Sequence, residues 1–403
     1  MRPVLFEIPL PRLALPLGAT LAVLALFAAG VAWFGYRRRA WDLLVVGAFG
    51  AVAALVLAFV NRGSTYTPGP LPIMSYGALL AASLAAGWIL TLRLAERAGM
   101  ARDVAAHAYV VTAIAGLVGA RLLYVVTNPG EFQSLAEIVA LSSGGLTAYG
   151  GFLGGFAGAW WSLRRLGAPF LLWADAAVPS VALGLALTRV GCYLHGCDFG
   201  RPLSEQNASL LRKLGTFPRW ADGVLAGSGS PAWVDHVLRK GLSPAAPSSL
   251  PVHPTQLYEA LVGVGLFALS LFWFPRRRFA GELFLIVVFA YGGARFMLEL
   301  FRDDAERGLF GPALPGLLWV ALGLLVAGAS VVVLGLSRSR RGVTAVVVVA
   351  FWGLGLWLAR FTAFGREAAI ALSSAQWLGL FTMLAVAYYG WRESRIPASE
   401  LTR

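Results

Sequence analysis

The chain has 403 residues, of which 58% are hydrophobic and only 13% are charged, and its mean hydropathy is +0.71. About a quarter of the residues of a soluble domain are charged, so this composition excludes a soluble globular protein. The net charge of +13 would suit a nucleic-acid partner. However, the basic residues form short clusters between apolar runs, and no basic face with interleaved aromatic residues is visible. We therefore expect an all-α polytopic membrane protein that binds no nucleic acid.

About eleven apolar segments are long enough to cross the hydrocarbon core of a bilayer. Basic clusters follow every second segment, beginning with the one at 36–39. Cytoplasmic loops are enriched in Lys and Arg, so this alternation predicts an N-terminus outside and a C-terminus inside. The predicted spans are 12–35, 42–61, 72–94, 105–127, 145–163, 171–194, 255–274, 281–301, 314–336, 343–362 and 374–391.

Two segments of the chain need separate interpretation. The first span is too long for a signal peptide, and its basic cluster follows it, which predicts an uncleaved anchor. The polar stretch 201–252 lies on the outer side by the same alternation. A loop of this length is usually a functional arm or lid, or else disordered.

Ionisable residues inside the predicted spans are the main candidates for function, because each must face a partner or a wet cavity. Arg121, Arg189 and Arg295 lie in three different spans. Each of them also has a structural alternative; Arg295 could form a buried i,i+4 pair with Glu299, and Arg302 on the same face could extend to the outer surface. Together the three outnumber the carboxylates that we expect to be buried near them. They therefore predict an anionic ligand such as a phospholipid head group, since guanidinium groups suit phosphate.

Glycine pairs flank Tyr149 in the stretch "GGLTAYGG". Small residues at helical spacing allow close helix packing, which we favour for Gly154 and Gly158. Pairs on both sides of "LTAY" also suggest broken helix ends with free N–H groups. The pairs are Gly144 with Gly145, and Gly150 with Gly151.

Both cysteines of the chain, Cys192 and Cys197, lie at the end of one span with His195 between them. The spacing C-x2-H-x-C matches no zinc pattern, so we predict no metal site. A disulfide would require the backbone to turn at Gly196. The sequence therefore leaves this pair without an assigned role.

Six motifs, in this order, resemble the prolipoprotein diacylglyceryl transferase family. They are "SYG" with Tyr76, "GARLLY" with Arg121 and Tyr124, "GGLTAYGG", Arg189 with Gly191, Gly196 and Gly200, "HPTQLYE" at 253–259, and a helix with Tyr291, Arg295, Glu299 and Arg302. The resemblance covers most of 73–302 and resumes at 374–391.

The resemblance implies an enzyme that transfers diacylglycerol from phosphatidylglycerol to the lipobox cysteine of a preprolipoprotein signal peptide, without a cofactor. It implies a monomer among membrane lipids, in the bacterial inner membrane. The catalytic candidates are Arg189, Arg295, Tyr149 and Tyr291. The phosphatidylglycerol-binding candidates are Tyr76, Arg121, Tyr124, Gly144, Gly145, Gly150, Gly151, Gly191, Gly196, Gly200, His253, Gln256, Tyr258, Glu259, Glu299 and Arg302.

The chain departs from the family pattern in its span count and at three positions. Tyr149 replaces a histidine, and Cys192 and Cys197 replace an asparagine and a glutamate. The family has seven spans, so we expect two inserted pairs. The expected division is 1–71 with the first pair, 72–310 as the core with the arm 201–252, 311–370 as the second pair, and 371–403 as the final helix and tail.

Two alternative functions stay open at this stage. A protein of the same fold could use another acceptor or bind phospholipid without transfer, because fold does not fix chemistry. A lipid transporter would use the arginines as a polar path, although no internal repeat is visible.

Overall fold

The computed structural model describes residues 4–8, 15–38, 41–60, 65–66, 71–132, 134, 137–138, 145–220, 229–303, 309–315, 318–319, 323 and 370–393. In this part of the chain the α-helices are α1 (Leu17–Arg38), α2 (Trp41–Val60), α3 (Ser75–Arg97), α4 (Arg102–Thr127), α5 (Ala148–Arg165), α6 (Phe170–His195), α7 (Ser209–Leu214), α8 (Pro231–Arg239), α9 (Thr255–Trp273), α10 (Glu282–Leu298) and α11 (Ser374–Glu393). Short 3-10 helices follow α4, α9 and α10, at Pro129–Glu131, Phe274–Arg276 and Glu299–Phe301.

The prediction of an all-α polytopic membrane protein is confirmed. Nine of the eleven predicted spans coincide with described helices, and 314–336 and 343–362 lie almost entirely outside the described residues. Within the described part, six helices are long and apolar enough to cross a membrane. Large apolar side chains on α1, such as Leu26 and Phe27, are about three-quarters exposed. This exposure is expected of a surface that faces lipid.

Short strand pairs join the chain on either side of two segments, the helices α1–α2 and residues 315–369, of which the structure describes only a few. The strands are β1 (Val4–Ile8), β2 (Leu15–Pro16), β3 (Thr65–Tyr66), β4 (Leu71–Met74), β5 (Leu309–Leu314) and β6 (Ile370–Ser373). Strand β1 pairs with β4, β2 pairs antiparallel with β3, and β5 pairs antiparallel with β6. The chain therefore leaves and re-enters at one place around α1–α2, and again around residues 315–369.

The described residues divide into two compact units. One unit contains 5–73 and 85–180, and the other contains 1–4, 74–84 and 181–403. In the first, α1 packs along α2, and α4 packs along α5. In the second, α10 packs against both α9 and α11. A core forms there around Phe296, Leu300, Trp319, Leu372 and Met383.

The arm 201–252 is ordered where the structure describes it, although residues 221–228 lie outside the described part. Phe217 is fully buried and packs with Phe199, Ala232 and Val252. Backbone bridges join Pro202 to Val252 and Pro218 to Ser248. Of the two alternatives for this loop, the structure supports a folded arm.

Glycines bring α4 and α5 into backbone contact. A Cβ added to Gly154 would collide with the carbonyl oxygen of Ala115 and lie 3.0 Å from the Cα of Gly119, and one on Gly158 would lie 2.5 Å from the Cβ of Ala115. The packing role predicted for Gly154 and Gly158 is therefore confirmed.

We expect Gly154→Ala to lower the thermal unfolding midpoint of the full chain in detergent, because α4 and α5 must separate. Overpacking of this kind costs about 1–3 kcal/mol. The matched control is Gly155→Ala, whose Cβ would meet Thr112 at an ordinary 3.5 Å. Equal midpoints for the two variants would contradict the close-packing interpretation.

Candidate functional site

Three arginines and three carboxylates form a closed ring of ion pairs at the end of α6, the start of α9 and the end of α10. Each carboxylate lies between two arginines. The contacts are Arg189–Glu259 at 3.0 Å, Glu259–Arg295 at 3.4 Å, Arg295–Glu299 at 2.6 Å, Glu299–Arg302 at 3.5 Å, Arg302–Asp198 at 2.7 Å and Asp198–Arg189 at 2.6 Å. We call these six residues the ion ring, and its formal charge is zero.

The ring corrects one premise of the sequence analysis. We expected too few buried carboxylates to neutralise the arginines, and for Arg189 and Arg295 this expectation is wrong. Asp198, Glu259 and Glu299 supply as many negative charges as Arg189, Arg295 and Arg302 supply positive ones. Buried charges without partners are costly, so a ring that pairs each charge twice lets three guanidinium groups stay at this depth.

Glu259 contacts three side chains at once. Its Oε2 lies 3.0 Å from Nε of Arg189 and 3.4 Å from Nη1 of Arg295, and its Oε1 accepts from the Tyr291 hydroxyl at 3.1 Å. Its side chain is only 4% exposed. Glu259 therefore fixes three of the proposed functional side chains relative to one another.

Two other residues of the "HPTQLYE" segment hold the turn that carries Asp198. Thr255 Oγ1 donates to the carbonyl oxygen of Asp198, and Gln256 Nε2 donates to that of Cys197, both at 2.5 Å. Asp198 has a φ of +55° and is the one non-glycine residue with positive φ in the described part of the chain. Because Asp is among the few residues that tolerate this conformation, its carboxylate can reach both Arg189 and Arg302.

The charge state of Asp198 follows from these contacts. Burial by itself would raise the pKa of the Asp198 carboxyl, but Arg189 and Arg302 outweigh burial and lower that pKa to about 2. Asp198 is therefore ionised at any pH at which the protein would work, and the ring keeps its alternating charges.

Glycines allow the backbone to pass close to the ring. Gly200 donates its N–H to the His253 carbonyl and bridges to Arg302, and a Cβ there would lie 2.6 Å from the carbonyl oxygens of both His253 and Phe301. A Cβ added to Gly191 would lie 3.1 Å from the Cα of Tyr76. Tyr76, which is 40% exposed, therefore lies directly on α6.

His253 and Tyr258 belong to an aromatic cluster beside the ring. His253 Nδ1 is 3.1 Å from the Tyr258 hydroxyl, and both rings pack edge-on against Phe301. Burial, with a smaller effect of Arg201, lowers the pKa of His253 to about 4. His253 is thus neutral at working pH, and its place here is one of packing and hydrogen bonding.

The lowered pKa of His253 gives a pH-dependent stability. Between about pH 6.5 and pH 4 the unfolded chain binds a proton at His253, while the folded protein does not. The unfolding free energy therefore falls as the pH falls through this window. We expect His253→Gln to flatten the decline of the unfolding midpoint between pH 7 and pH 4.5. Part of the decline will remain, because burial also lowers the pKa of His236. A slope unchanged by His253→Gln would contradict this assignment.

Comparison with known proteins identifies the family. The family model described as prolipoprotein diacylglyceryl transferase matches residues 64–334, more than half of the chain. The chain belongs to the prolipoprotein diacylglyceryl transferase family.

Three relatives carry the name phosphatidylglycerol–prolipoprotein diacylglyceryl transferase. The one from Thermus thermophilus is 34% identical over 232 residues, which is 57% of this chain and 80% of the relative. The one from Clostridium tetani is 28% identical over 235 residues (58% and 82%). The one from Dehalococcoides mccartyi is 31% identical over 265 residues (64% and 89%).

One carboxylate stands a residue away from its place in the family pattern. The prolipoprotein diacylglyceryl transferase signature has a glutamate where this chain has Cys197. Here Asp198 supplies the carboxylate, on the left-handed turn that Gln256 and Thr255 hold. Sequence reasoning missed both Asp198 and Thr255. A count of acidic residues within one position of the signature would have found Asp198.

The remaining predicted site residues lie in the other unit. Arg121 donates to the main-chain carbonyls of Glu137, Ile138 and Gly145, at 2.6, 2.8 and 2.9 Å. These contacts agree with a structural role for Arg121, because they fix main-chain carbonyls of the segment that precedes α5. The Tyr124 hydroxyl donates to Glu131 at 2.7 Å.

The structure also places the glycine pairs around Tyr149. Gly145 has a φ of +78° and faces Arg121 and Tyr124, while Gly144 lies outside the described residues. Tyr149 lies in the first turn of α5 and is partly buried. Gly150 and Gly151 belong to the helix itself and pack against α4, so the second pair does not break a helix.

Proposed function

We propose that this chain transfers the diacylglyceryl group of phosphatidylglycerol to the cysteine thiol of a prolipoprotein, releasing glycerol-1-phosphate. Family membership supports the reaction. The observation that carries the site is the state of Arg189. Its Nε and Nη1 are held by Glu259 and Asp198, and its Nη2 has no acceptor among the described residues. Two N–H bonds of a fixed guanidinium are therefore left to bind a phosphate oxygen.

The proposed chemistry requires stabilisation of a departing anion. The thiolate sulfur forms a bond to the glyceryl carbon, the bond between that carbon and the phosphate oxygen breaks, and the electron pair leaves with glycerol-1-phosphate. Preorganised donors aimed at developing charge are the largest single contribution in many enzymes. Arg189 and Arg295 would supply these donors. Glu259 would hold the Tyr291 hydroxyl beside the two arginines.

The reaction also needs a group that receives the thiol proton. Tyr149 stands where the family pattern has histidine, and tyrosine, with an ordinary pKa of about 10, is a poor base near neutrality. Tyr149 would orient the lipid, work with a lowered pKa, or mark reduced activity. The incoming cysteine, with an ordinary pKa of about 8.5, could also ionise beside an arginine.

We propose the same architecture as the sequence analysis, with α1–α2 and the segment 311–370 inserted into a seven-helix core. The pairings β2–β3 and β5–β6 support this, because each closes the chain around an excursion. The family match also begins at residue 64, after α2 ends. Insertions that leave and return at one point keep the orientation of all other helices.

We also propose that the protein is a monomer of the bacterial inner membrane with a periplasmic N-terminus and a cytoplasmic C-terminus. The basic residues that end α1 and α5, and the cluster that follows α9, support this orientation under the positive-inside rule. They are Arg37, Arg38, Arg164, Arg165, Arg276, Arg277 and Arg278.

The test is transfer of labelled diacylglycerol, with parallel detection of glycerol-1-phosphate, by the full chain in phosphatidylglycerol nanodiscs with a lipobox peptide. Arg189→Ala and Arg295→Ala should each abolish both signals. The matched control is Arg102→Ala, which removes an exposed arginine that pairs with the exposed Glu96. Full transfer by both Arg189→Ala and Arg295→Ala would overturn the assignment of this site. Phosphatidylglycerol binding without release of glycerol-1-phosphate by the unaltered chain would favour the lipid-binding alternative, to which Tyr149 points.

A further inference from the structure

The end of α6 brings the two cysteines of the chain together. Gly196 adopts a left-handed φ of +87°, its N–H donates to the Cys192 carbonyl at 2.7 Å, and the N–H of Cys197 donates to the same carbonyl at 3.3 Å. The latter bond is the six-to-one contact of a Schellman motif, in which the side chains at the positions of Cys192 and Cys197 commonly touch. The turn at Gly196 that a disulfide requires is thus present.

The two sulfur atoms and a carboxylate oxygen of Asp198 lie within 4.8 Å of one another. Such a trio could hold a metal ion, but Oδ1 of Asp198 is bound by Arg302 and Oδ2 by Arg189. A cation would have to displace two guanidinium groups from one carboxylate. The contacts of the sulfur atoms are longer, since Cys192 Sγ accepts from Arg189 at 3.9 Å and Cys197 Sγ donates to the Cys192 carbonyl at 3.8 Å. Both cysteines are free thiols in this structure.

We propose that Cys192 and Cys197 are a modification site that forms a reversible intramolecular disulfide beside Arg189. The oxidant is a disulfide, of a small molecule or a protein. The thiolate of Cys197, the more exposed of the two, attacks one sulfur of the oxidant and releases the first thiol. The Cys192 thiolate then attacks the Cys197 sulfur and releases the second thiol. The pair thereby loses two electrons and two protons, which the oxidant's two sulfurs gain.

Formation of the disulfide would act on the ion ring. Cys192 Sγ lies 3.9 Å from Nη1 of Arg189, and Cys197 directly precedes Asp198, whose turn Gln256 holds through the Cys197 carbonyl. A sulfur–sulfur bond of about 2 Å draws the two side chains together and moves that turn. We therefore expect oxidation to weaken the hold of Asp198 on Arg189. The expected effect on transfer rests on the proposed function, whereas the formation of the disulfide does not.

The full chain in nanodiscs is treated with oxidised glutathione and digested with trypsin without reduction. The mass of the peptide 190–212 is then measured by mass spectrometry. This peptide contains both cysteines, and the chain has no others. We expect it to lose two hydrogen atoms on oxidation and to take up no maleimide. After dithiothreitol it should take up two maleimides. The matched controls Cys192→Ser and Cys197→Ser should each stop at one glutathione adduct.

Two maleimides per peptide after oxidation, or covalent dimers between chains in place of the internal loop, would overturn the proposal. In the same samples, transfer should fall at least about fivefold on oxidation and return on reduction, a change of about 1 kcal/mol in activation free energy. Disulfide formation with unchanged transfer would overturn the link to Arg189. Disulfide formation in a chain that shows no transfer in either state would count against the proposed function and leave the modification site intact.

Discussion

Glu259→Gln is expected to lower the rate of diacylglyceryl transfer about 100-fold or more, corresponding to roughly 2.7 kcal/mol of activation free energy. The glutamine keeps the size of the side chain. Its amide has no charge and only one acceptor oxygen, so it cannot pair with Arg189 and Arg295 and accept from Tyr291 as Glu259 does. The amide N–H groups would face a guanidinium, and Arg189 would lose the orientation in which its Nη2 meets phosphate. The measurement is the initial rate of glycerol-1-phosphate release.

The same substitution is expected to destabilise the fold, because removing one partner of a buried pair costs about 3–5 kcal/mol. Glu282→Gln separates this loss from the loss of function. Glu282 is 3% exposed, close to the 4% of Glu259, and pairs with Arg278 away from the ring. We expect Glu282→Gln to lower the unfolding midpoint but to keep its transfer rate while folded. Equal transfer rates for the two variants would show that the ring does not organise Arg189.

Asp198→Asn is the second substitution with a large expected effect, a loss of about 10- to 100-fold in transfer. Asparagine tolerates the positive φ that this position requires, so the backbone turn stays while the charge is lost. Arg189 and Arg302 then share a site with one negative charge fewer, and each loses its shortest ion pair. Asp198→Ala should be more damaging, because alanine also pays about 1–2 kcal/mol for the left-handed conformation.

Asp303→Asn is the matched control for this substitution. Asp303 has the same side-chain exposure as Asp198, 27%, and forms an ion pair with Lys240 in the arm. We expect it to change transfer by less than about threefold, since exposed pairs contribute little. A similar loss in both variants would mean that Asp198 acts only through the general charge of this region.

The Asp198 assignment shows why exact motif positions were not enough. The sequence analysis compared Cys197 with the glutamate of the family signature and found no carboxylate there. In the structure the backbone turns at Gly196, and Asp198, the residue after Cys197, points its carboxylate into the ring. A one-residue offset is invisible to a pattern, because it depends on a φ angle and on two hydrogen bonds from residues 57 and 59 positions further along the chain.

The sequence analysis selected the arginines because charged residues inside a membrane need partners, but it counted too few buried carboxylates near them. Intramembrane ionisable residues are rare and need partners, and that reasoning singled out Arg189, Arg295 and Glu259, which lie together in the structure. It could not show that Arg302 and Asp198 close the ring, nor that Arg121 holds main-chain carbonyls of a neighbouring segment. The role of Arg121 in binding phosphatidylglycerol stays a prediction.

The sequence by itself determined the helices that the structure describes and the family to which the chain belongs. Hydropathy acts along each segment of about 20 residues, so the spans are readable locally, and the motif order was enough to indicate the family. Tertiary structure alone decided which charges meet. The ring joins the end of α6, the start of α9 and the end of α10, which are up to about a hundred residues apart along the chain. An ion pair depends on separations of a few ångströms, and those are set by how the helices pack.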